Sequence, residues 1–304
     1  MNGESPLVTL GLCTKNNAST IKSTIESILF QDYPSQKLQL IVVDGLSSDG
    51  TPNIVKSILE TASLNWNMLS DEGKGLAFAR QLVVNNSSGK YVIWVDGDHI
   101  LYPNFVSKHV DFMERNPHVG AAEGFMEYVA TNLPSKLEGY SWYIYCLRRL
   151  DKDLKTVGAA GTIYRLAAIK SVGGFDIRIK GAGEDGDISH RMRNFGWKLR
   201  MNPDARFKHV MRTSWRSLWR EYHWWGYGSH FTFHKHRGLV NPYRFLPPIA
   251  FLSGIRLGMI SYSMTRDISC LLMPLHYSWK RTAWTLGFIK AHFNGYGHNK
   301  NTDD

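Results

Sequence analysis

The sequence predicts an α/β fold with a doubly wound, mostly parallel sheet and a helical, basic, aromatic-rich C-terminal appendage. Three observations carry this. Strand-like apolar runs alternate with helix-like periodicity four times over about the first 100 residues. Acids close these runs, at Asp44, Asp71, Asp96 and Asp98. The composition then changes near residue 206. Residues 1–205 hold 22 Lys+Arg and 22 Asp+Glu, whereas residues 206–304 hold 14 and 4, with six of the ten tryptophans. The whole formal excess of +10 therefore lies in the last third.

The elements follow in order. LVTLGLCTK (7–15) reads as a first strand. In the segment that follows, Ile21, Ile25, Ile28 and Leu29 are spaced for one helical face, with Ser19 as N-cap. LQLIVVDG (38–45) is a buried strand. Thr51-Pro52 reads as an N-cap with Pro at the first helical position, and Ile54, Val55, Ile58 and Leu59 point inward. WNMLSD (66–71) is a third strand, GLAFARQLVVNN a helix, and KYVIWVDGDHI (90–100) a strand for the centre of a sheet. After residue 100 the alternation loosens. Helices are expected over 103–116, 165–176 and 181–196, the last with Ile188, Met192 and Phe195 inward and Gly196 at its end, and a strand over 118–129. Right-handed crossovers between parallel strands place ligands at their carboxyl ends, where the four acids fall.

With 304 residues and 43% apolar content, the chain can bury a large core. Three scattered cysteines give neither a disulfide framework nor zinc spacing, which suits a reducing compartment. MNGESPLVTL lacks a basic start and a long apolar run, so no signal peptide is expected.

The acids are where chemistry is expected. Asp96-Gly97-Asp98 puts two carboxylates on one tight turn. Their repulsion calls for a counter-charge, and hard oxygen ligands suit Mg²⁺ or Mn²⁺ beside substrate phosphates. Gly97 allows close backbone approach. Such a triplet arises by chance in many sequences, and its place at the end of a buried strand is what gives it weight. In VDGLSSDGT, Asp44 could accept from a nucleobase N–H or a ribose hydroxyl, while Asp49 and Thr51 read as turn and cap residues. In SDEGKGLAFARQ, glycines flank Lys74 just before a helix, and Arg80 is near. That arrangement suits a diphosphate, although it is not a Walker motif. In GAGEDGD (181–187), Asp185 or Glu184 could serve as general base, and Asp187 divides between capping and function.

These pieces together resemble glycosyltransferase family 2, the inverting nucleotide-sugar transferases of the GT-A fold. TKN after the first strand, VVDGLSSDGT, GKGLAFAR, VDGDH, GAAGTIYR, GGFD and GEDGD occur in that family's order, over residues 7 to about 210. The resemblance implies a nucleoside-diphosphate-sugar donor, a divalent metal, and single-displacement transfer with inversion by a hexosyltransferase. It places the nucleoside against Thr14, Lys15, Asn16 and Asp44, and the diphosphate near Asp71, Lys74 and Arg80. It gives Asp96 to the ribose or the metal, Asp98 to the metal at the diphosphate, Gly97 to the donor turn, and the base to Asp185, with Glu184 second. GTIYR (161–165) falls near the sugar and acceptor. His209 is a candidate third metal ligand, although a lone His is more often structural. By family frequency a UDP-sugar is favoured over a GDP-sugar. The Q-x-x-R-W motif of processive members is absent from WREYHWWGYG (219–228), so transfer of one sugar is expected.

The expected division is a GT-A catalytic domain over 1–210, nucleotide-sugar half to about residue 100 and acceptor half beyond, then a helical region over 211–304. In that region Trp, Tyr, His and Arg mix at near-helical spacing over 214–238, which suits a membrane interface. The apolar stretch 245–264 is interrupted by two prolines and Arg256, and 268–293 by Lys280 and Arg281, so neither is a clean span. The expected partners are a nucleotide sugar, a glycan or lipid-linked acceptor, and a membrane surface met through 211–293, with no nucleic acid. A peripheral or monotopic enzyme on the cytoplasmic face of the cell membrane would follow. A helical subdomain packed on the catalytic domain, or a dimer contact, would explain the same pattern. A nucleotidyltransferase would also use paired acids, but CTKNNAST lacks the Gly-rich, basic signature expected after its first strand. A nonenzymatic basic module would leave the acidic rim unexplained.

Overall fold

The computed structural model describes residues 5–297. The chain forms two compact units. The first holds the chain as far as Glu127, then Arg149–Lys180 and Asp185–Val210. The second holds Tyr128–Arg148, Gly181–Glu184 and the chain from Met211.

The first unit is built on a mixed eight-stranded sheet. Its strands are β1 (Val8–Thr14), β2 (Leu38–Asp44), β3 (Asn65–Ser70), β4 (Tyr91–Asp96), β5 (His99–Leu101), β6 (Val119–Val129), β7 (Thr162–Arg165) and β8 (Lys198–Val210), in the order β3-β2-β1-β4-β7-β6-β8-β5. β1 to β4 are parallel to one another. β7 joins β4 antiparallel, as β6 joins β7 and β5 joins β8. The doubly wound half is thus extended by an antiparallel half, in which the strand expected over 118–129 is β6, while β7 and β8 lie outside the expected strands. The 13-residue β8 is the largest addition. Its sequence, KLRMNPDARFKHV, carries a proline and five charges, which masks its alternation.

The central strands are buried because both faces are covered. Leu10, Leu12, Ile41, Val42, Ile93, Trp94 and Val95 are at most 1% exposed. Gly11 makes room for the Trp94 ring: a Cβ there would stand 2.7 Å from it. The flanking helices are α1 (Ile21–Leu29), α2 (Thr51–Leu59), α3 (Leu76–Asn86), α4 (Phe105–Arg115), α6 (Leu166–Ser171) and α7 (Glu184–Asn194), while α5 (Leu133–Leu147) belongs to the second unit.

Several local expectations shift. Thr20, not Ser19, occupies the position before α1. The α2 cap is Gly50 in the left-handed region, with Thr51 inside the helix. The Thr51 hydroxyl donates to Asp49 and accepts from the Asn17 N–H, so it ties two loops rather than capping. Phe195 is 62% exposed instead of inward, because α7 ends at Asn194 and Gly196 turns the chain with φ +105°.

The second unit is helical: α5 (Leu133–Leu147), α8 (Trp215–Lys235), α9 (Pro247–Thr265) and α10 (Met273–Phe293). The two prolines expected to interrupt the first apolar stretch stand in the first turn of α9, where no intrahelical N–H is required. Leu137, Tyr140, Ile144, Leu257, Cys270 and Met273 form one core, and Tyr222, Ala283 and Trp284 another. Lys280 of α10 turns inward. Lys280 donates to Glu138 at 2.9 Å, and the same carboxylate meets His276 at 3.0 Å and Tyr222 Oη at 2.7 Å. Among the described residues, no helix is long and apolar enough to cross a membrane.

Candidate active site

Register explains why the acids share one rim. Thr14 pairs with Asp44, Asp44 with Ser70, and Cys13 with Asp96 across the parallel strands, so four adjacent strands finish within a residue of the same level. Asp71 directly follows β3, and Asp98 lies two residues beyond β4.

The loop after β1 is clasped to the loop after β2. Asn16, with φ +54°, donates its N–H to Ser47 Oγ and accepts the Ser48 N–H on its side chain. The Ala18 N–H donates to Asp49. Asp44 accepts the Ser47 N–H at 2.9 Å with one carboxylate oxygen. Its other oxygen is buried and has no hydrogen-bond partner among the described residues. A buried, unmatched acceptor is costly unless a donor meets it. Thr14 is buried and donates to Asn17, whereas the Lys15 side chain is exposed.

The DEGKG loop has its own internal order. Asp71 accepts the Gly73 N–H at 2.8 Å and the Gly75 N–H at 3.2 Å, so its carboxylate shapes the loop. Lys74 is half-exposed, pairs with Glu72 and lies over the Phe78 ring. Arg80 is buried, with its guanidinium 5.7 Å from the Trp94 ring centre.

Gly97 is a point of close approach. A Cβ there would stand 2.8 Å from both Thr14 Oγ1 and the Asn17 side chain. Its carbonyl accepts from Thr20 Oγ1 at 2.7 Å. What crowds this glycine is thus the β1 loop, which presses the Asp96–Asp98 turn against the nucleoside-side clasp.

Asp98 and His209 meet on the antiparallel half. Asp98 is buried, and His209 Nε2 lies 3.4 Å from one of its oxygens. His99, one residue on, is wholly buried against Phe207. Its Nδ1 accepts the Asp96 N–H at 3.2 Å, so Nε2 carries the ring proton and stands 3.9 Å from Asp96 and 4.0 Å from Asp98. Burial pushes the His99 pKa down, so the ring is neutral. Asp98, His99 and His209 bring their ligand atoms within 4.8 Å of one another, a set that does not include Asp96. A carboxylate and a neutral imidazole, with a second carboxylate on the same turn, fit Mn²⁺ or Mg²⁺.

Asp185 stands in the first turn of α7, half-buried, with one oxygen accepting the Gly186 N–H at 2.7 Å. Burial raises its pKa and the Arg80 guanidinium opposes that rise. Glu123 on β6 is a second buried acid in this neighbourhood. It accepts from Arg149 Nε at 3.0 Å, and burial likewise raises its pKa, with Asp185 adding to the rise. Between them lies Gly158, whose Cβ position is 3.6 Å from Glu123 and 4.0 Å from Asp185. Asp187 pairs with Arg191 one turn along its helix. Glu184 is buried at the start of α7. Arg165 sits away from the rim: it pairs in register with Tyr91, at the opposite end of β4 from Asp96, and donates to the Met113 carbonyl.

The sequence reading missed two features here. His99 lay inside the quoted VDGDH, and a histidine touching the acid triplet was the available signal. Glu123 and Arg149 are 26 residues apart and carried none.

Residues 9–173 match the family described as Glycosyl transferase family 2. This chain belongs to that family. Among curated relatives, the poly-beta-1,6-N-acetyl-D-glucosamine synthase of Staphylococcus epidermidis is 24% identical over 225 residues, covering 72% of this chain and 53% of that protein. The Staphylococcus aureus (strain COL) synthase is 24% identical over 229 residues, covering 73% and 54%. The chain thus spans about half the length of these family members. Two solved structures share its fold. A mannosyltransferase from Pyrobaculum calidifontis, in complex with GDP-Man and Mn²⁺, superposes with TM-score 0.68 at 19% identity, covering 96% of this chain and 88% of the other. S. aureus TarS 1–349, in complex with UDP, gives 0.53 at 15% identity, covering 98% and 94%.

Proposed function

We propose that this family 2 chain moves one sugar from a nucleoside-diphosphate sugar to an acceptor hydroxyl, with inversion and with a divalent metal. The observation that carries the reading is the Asp98–His209 pair beside Asp96, at the rim where Asp44 presents a buried, unmatched acceptor. The described chains with GDP-Man and Mn²⁺ and with UDP support a nucleotide donor of either base.

In this reading Asp44 accepts from the nucleobase or ribose, and the Thr14–Asn16 loop walls the nucleoside. Asp98 and His209 hold the ion, with Asp96 beside them. A bound divalent ion neutralises charge that develops on the leaving diphosphate. His99 acts by position: its lone pair is taken by the Asp96 amide, and its Nε2–H faces the two carboxylates. The Lys74 side chain lines the diphosphate side, on a loop whose Gly73, Lys74 and Gly75 amides are held by Asp71. Asp185 takes the proton from the acceptor hydroxyl, opposite the leaving group. Its carboxyl is held above the ordinary carboxylate range by burial, and Arg80 keeps it from rising further.

The acceptor is a glycan or lipid-linked saccharide, reached at a membrane surface by the second unit. Ile249, Leu252, Met259, Ile268, Leu271 and Leu275 are each at least 44% exposed there, on segments without an acidic residue except Asp267. The catalytic part is residues 1–210 and the membrane-facing part 211–293.

Incubation with a panel of UDP- and GDP-sugars, with Mn²⁺ and after chelation, tests the transferase reading. Metal-dependent release of nucleoside diphosphate from one donor is expected. No release from any donor, together with no metal-dependent nucleotide binding, would overturn it. Flotation with anionic liposomes tests the membrane reading, which fails if the intact chain stays at the bottom of the gradient.

A further inference from the structure

The second unit carries a histidine cluster that the transferase reading does not use. His230 and His234 lie one helical turn apart on α8, and His292 lies in the last turn of α10. The two helices pack at backbone contact. Gly226 faces the Trp284 carbonyl and Gly287 faces the His223 carbonyl, each too closely to admit a side chain. That approach fixes the register of α8 against α10 and brings the three imidazoles together.

Their tautomers can be read from their partners. Nδ1 of His230 meets the Tyr296 carbonyl. A carbonyl oxygen only accepts, so Nδ1 carries the proton and Nε2 offers a lone pair that can accept or ligate. That nitrogen lies 3.2 Å from His234 Nε2 and 3.4 Å from His292 Nδ1. One lone pair accepts one N–H, so an imidazole hydrogen bond accounts for one of these contacts and not for both. An ion shared among the rings accounts for both. With Zn–N bonds of about 2.0–2.1 Å, tetrahedral ligands stand roughly 3.3 Å apart. A histidine oriented through its other nitrogen by a carbonyl is also the usual support of a metal ligand.

We propose that His230, His234 and His292 form a Zn²⁺ site that staples the ends of α8 and α10. All three ligand atoms lie within 4.8 Å of one another. Three imidazoles without carboxylate or thiolate select a borderline ion over Mg²⁺ or Mn²⁺, which prefer oxygen. This is the opposite preference from the Asp98–His209 set. His234 and His292 occupy C-terminal helix turns, where the helix dipole favours a cation. Lys235 and Lys290 share those turns, so affinity rests on imidazole donation rather than on net charge. His230 is buried, His234 half-buried and His292 exposed, which leaves an approach from solvent and room for a water as fourth ligand.

The test uses the full chain carrying Asp98→Asn, so that the donor-side ligands do not contribute. After chelation and dialysis, ZnCl₂ is titrated by calorimetry, and Co²⁺ is added separately to read its visible absorption. One Zn²⁺ per chain, a tetrahedral Co²⁺ spectrum and a raised Tm are expected, with no competition from excess Mn²⁺. His292→Gln replaces an exposed residue. Checked for unchanged circular dichroism, it should weaken Zn²⁺ at least tenfold, and His234→Gln should do the same. Absence of saturable Zn²⁺ binding, or binding that survives both substitutions unchanged, would overturn the proposal.

Discussion

Nε2 of His209 lies 3.4 Å from a carboxylate oxygen of Asp98, although 111 positions separate them in the chain. Strand pairing makes the contact. His209 stands opposite His99 in the antiparallel β5–β8 pair, next to the end of the Asp96–Asp98 turn. Asp98→Asn and His209→Ala should each weaken Mn²⁺-dependent nucleotide binding by at least about tenfold. Both should leave the fold intact by circular dichroism. A titration of nucleotide with and without Mn²⁺ checks this, and metal dependence unchanged in both variants would remove the pair from the metal site.

The pH profile should expose Asp185. As the proposed general base it would work deprotonated, so activity should fall as pH drops through its raised pKa. Arg80 opposes the rise, so Arg80→Met should move the acid limb of kcat/KM to higher pH. Asp185→Asn should lower kcat by roughly 10²–10⁴-fold while donor binding persists. An acid limb that stays in place in Arg80→Met would separate Arg80 from the base.

Gly97→Ala should damage the donor side through packing alone. The new methyl would meet Thr14 Oγ1 and Asn17 at 2.8 Å, and overpacking of this kind costs about 1–3 kcal/mol. A lower Tm together with weaker nucleotide binding is expected. A variant with wild-type Tm and affinity would show that the two loops separate freely.

Lys280→Met should destabilise strongly, by about 3–5 kcal/mol, because it removes the counter-charge of the buried Glu138 carboxylate and leaves it only His276 and Tyr222. Glu138→Leu combined with Lys280→Met should recover much of that loss. Denaturant midpoints of the three chains decide it, and a double variant no better than the single would place the cost elsewhere.

Stability should fall as pH drops below about 6.5, the ordinary histidine value. Burial pushes His109 down to about 3, where its Nε2 meets the Gly161 carbonyl. The unfolded chain therefore takes up a proton that the folded chain refuses. The contribution is complete above the unfolded pKa and shrinks by about 1.4 kcal/mol per pH unit as pH falls towards 3. Thermal melts from pH 7 to pH 4 measure the slope. His109→Gln should flatten it, and an unchanged slope would assign the acid sensitivity to other groups.

Much of the parallel half is legible in the sequence. VTLGLCT, LQLIVVD and YVIWVD are short apolar runs closed by turn residues, and their burial is local information. The antiparallel half is harder to see. β8 alternates only in part: Leu199, Met201, Ala205 and Phe207 are buried, but charged residues and a proline stand between them and Lys208–Val210 are all half-buried, so its pattern is diluted. The internal role of α10 is also hidden. Lys280 and Arg281 look like interruptions until Glu138 and Tyr222 are found beside them.

The sequence alone determined the strand–helix order, the acids that end the parallel strands, and the family to which the chain belongs. Each is a property of contiguous residues, since strand periodicity, turn chemistry and motif order need no long-range partner. Tertiary structure alone decided which side chains meet. It set His209 against Asp98, Arg149 against Glu123, and His292 against His230, because those contacts depend on register between strands or between helices. Register is fixed by packing of the whole core, down to the missing side chains of Gly11, Gly97, Gly226 and Gly287, and no local stretch encodes it.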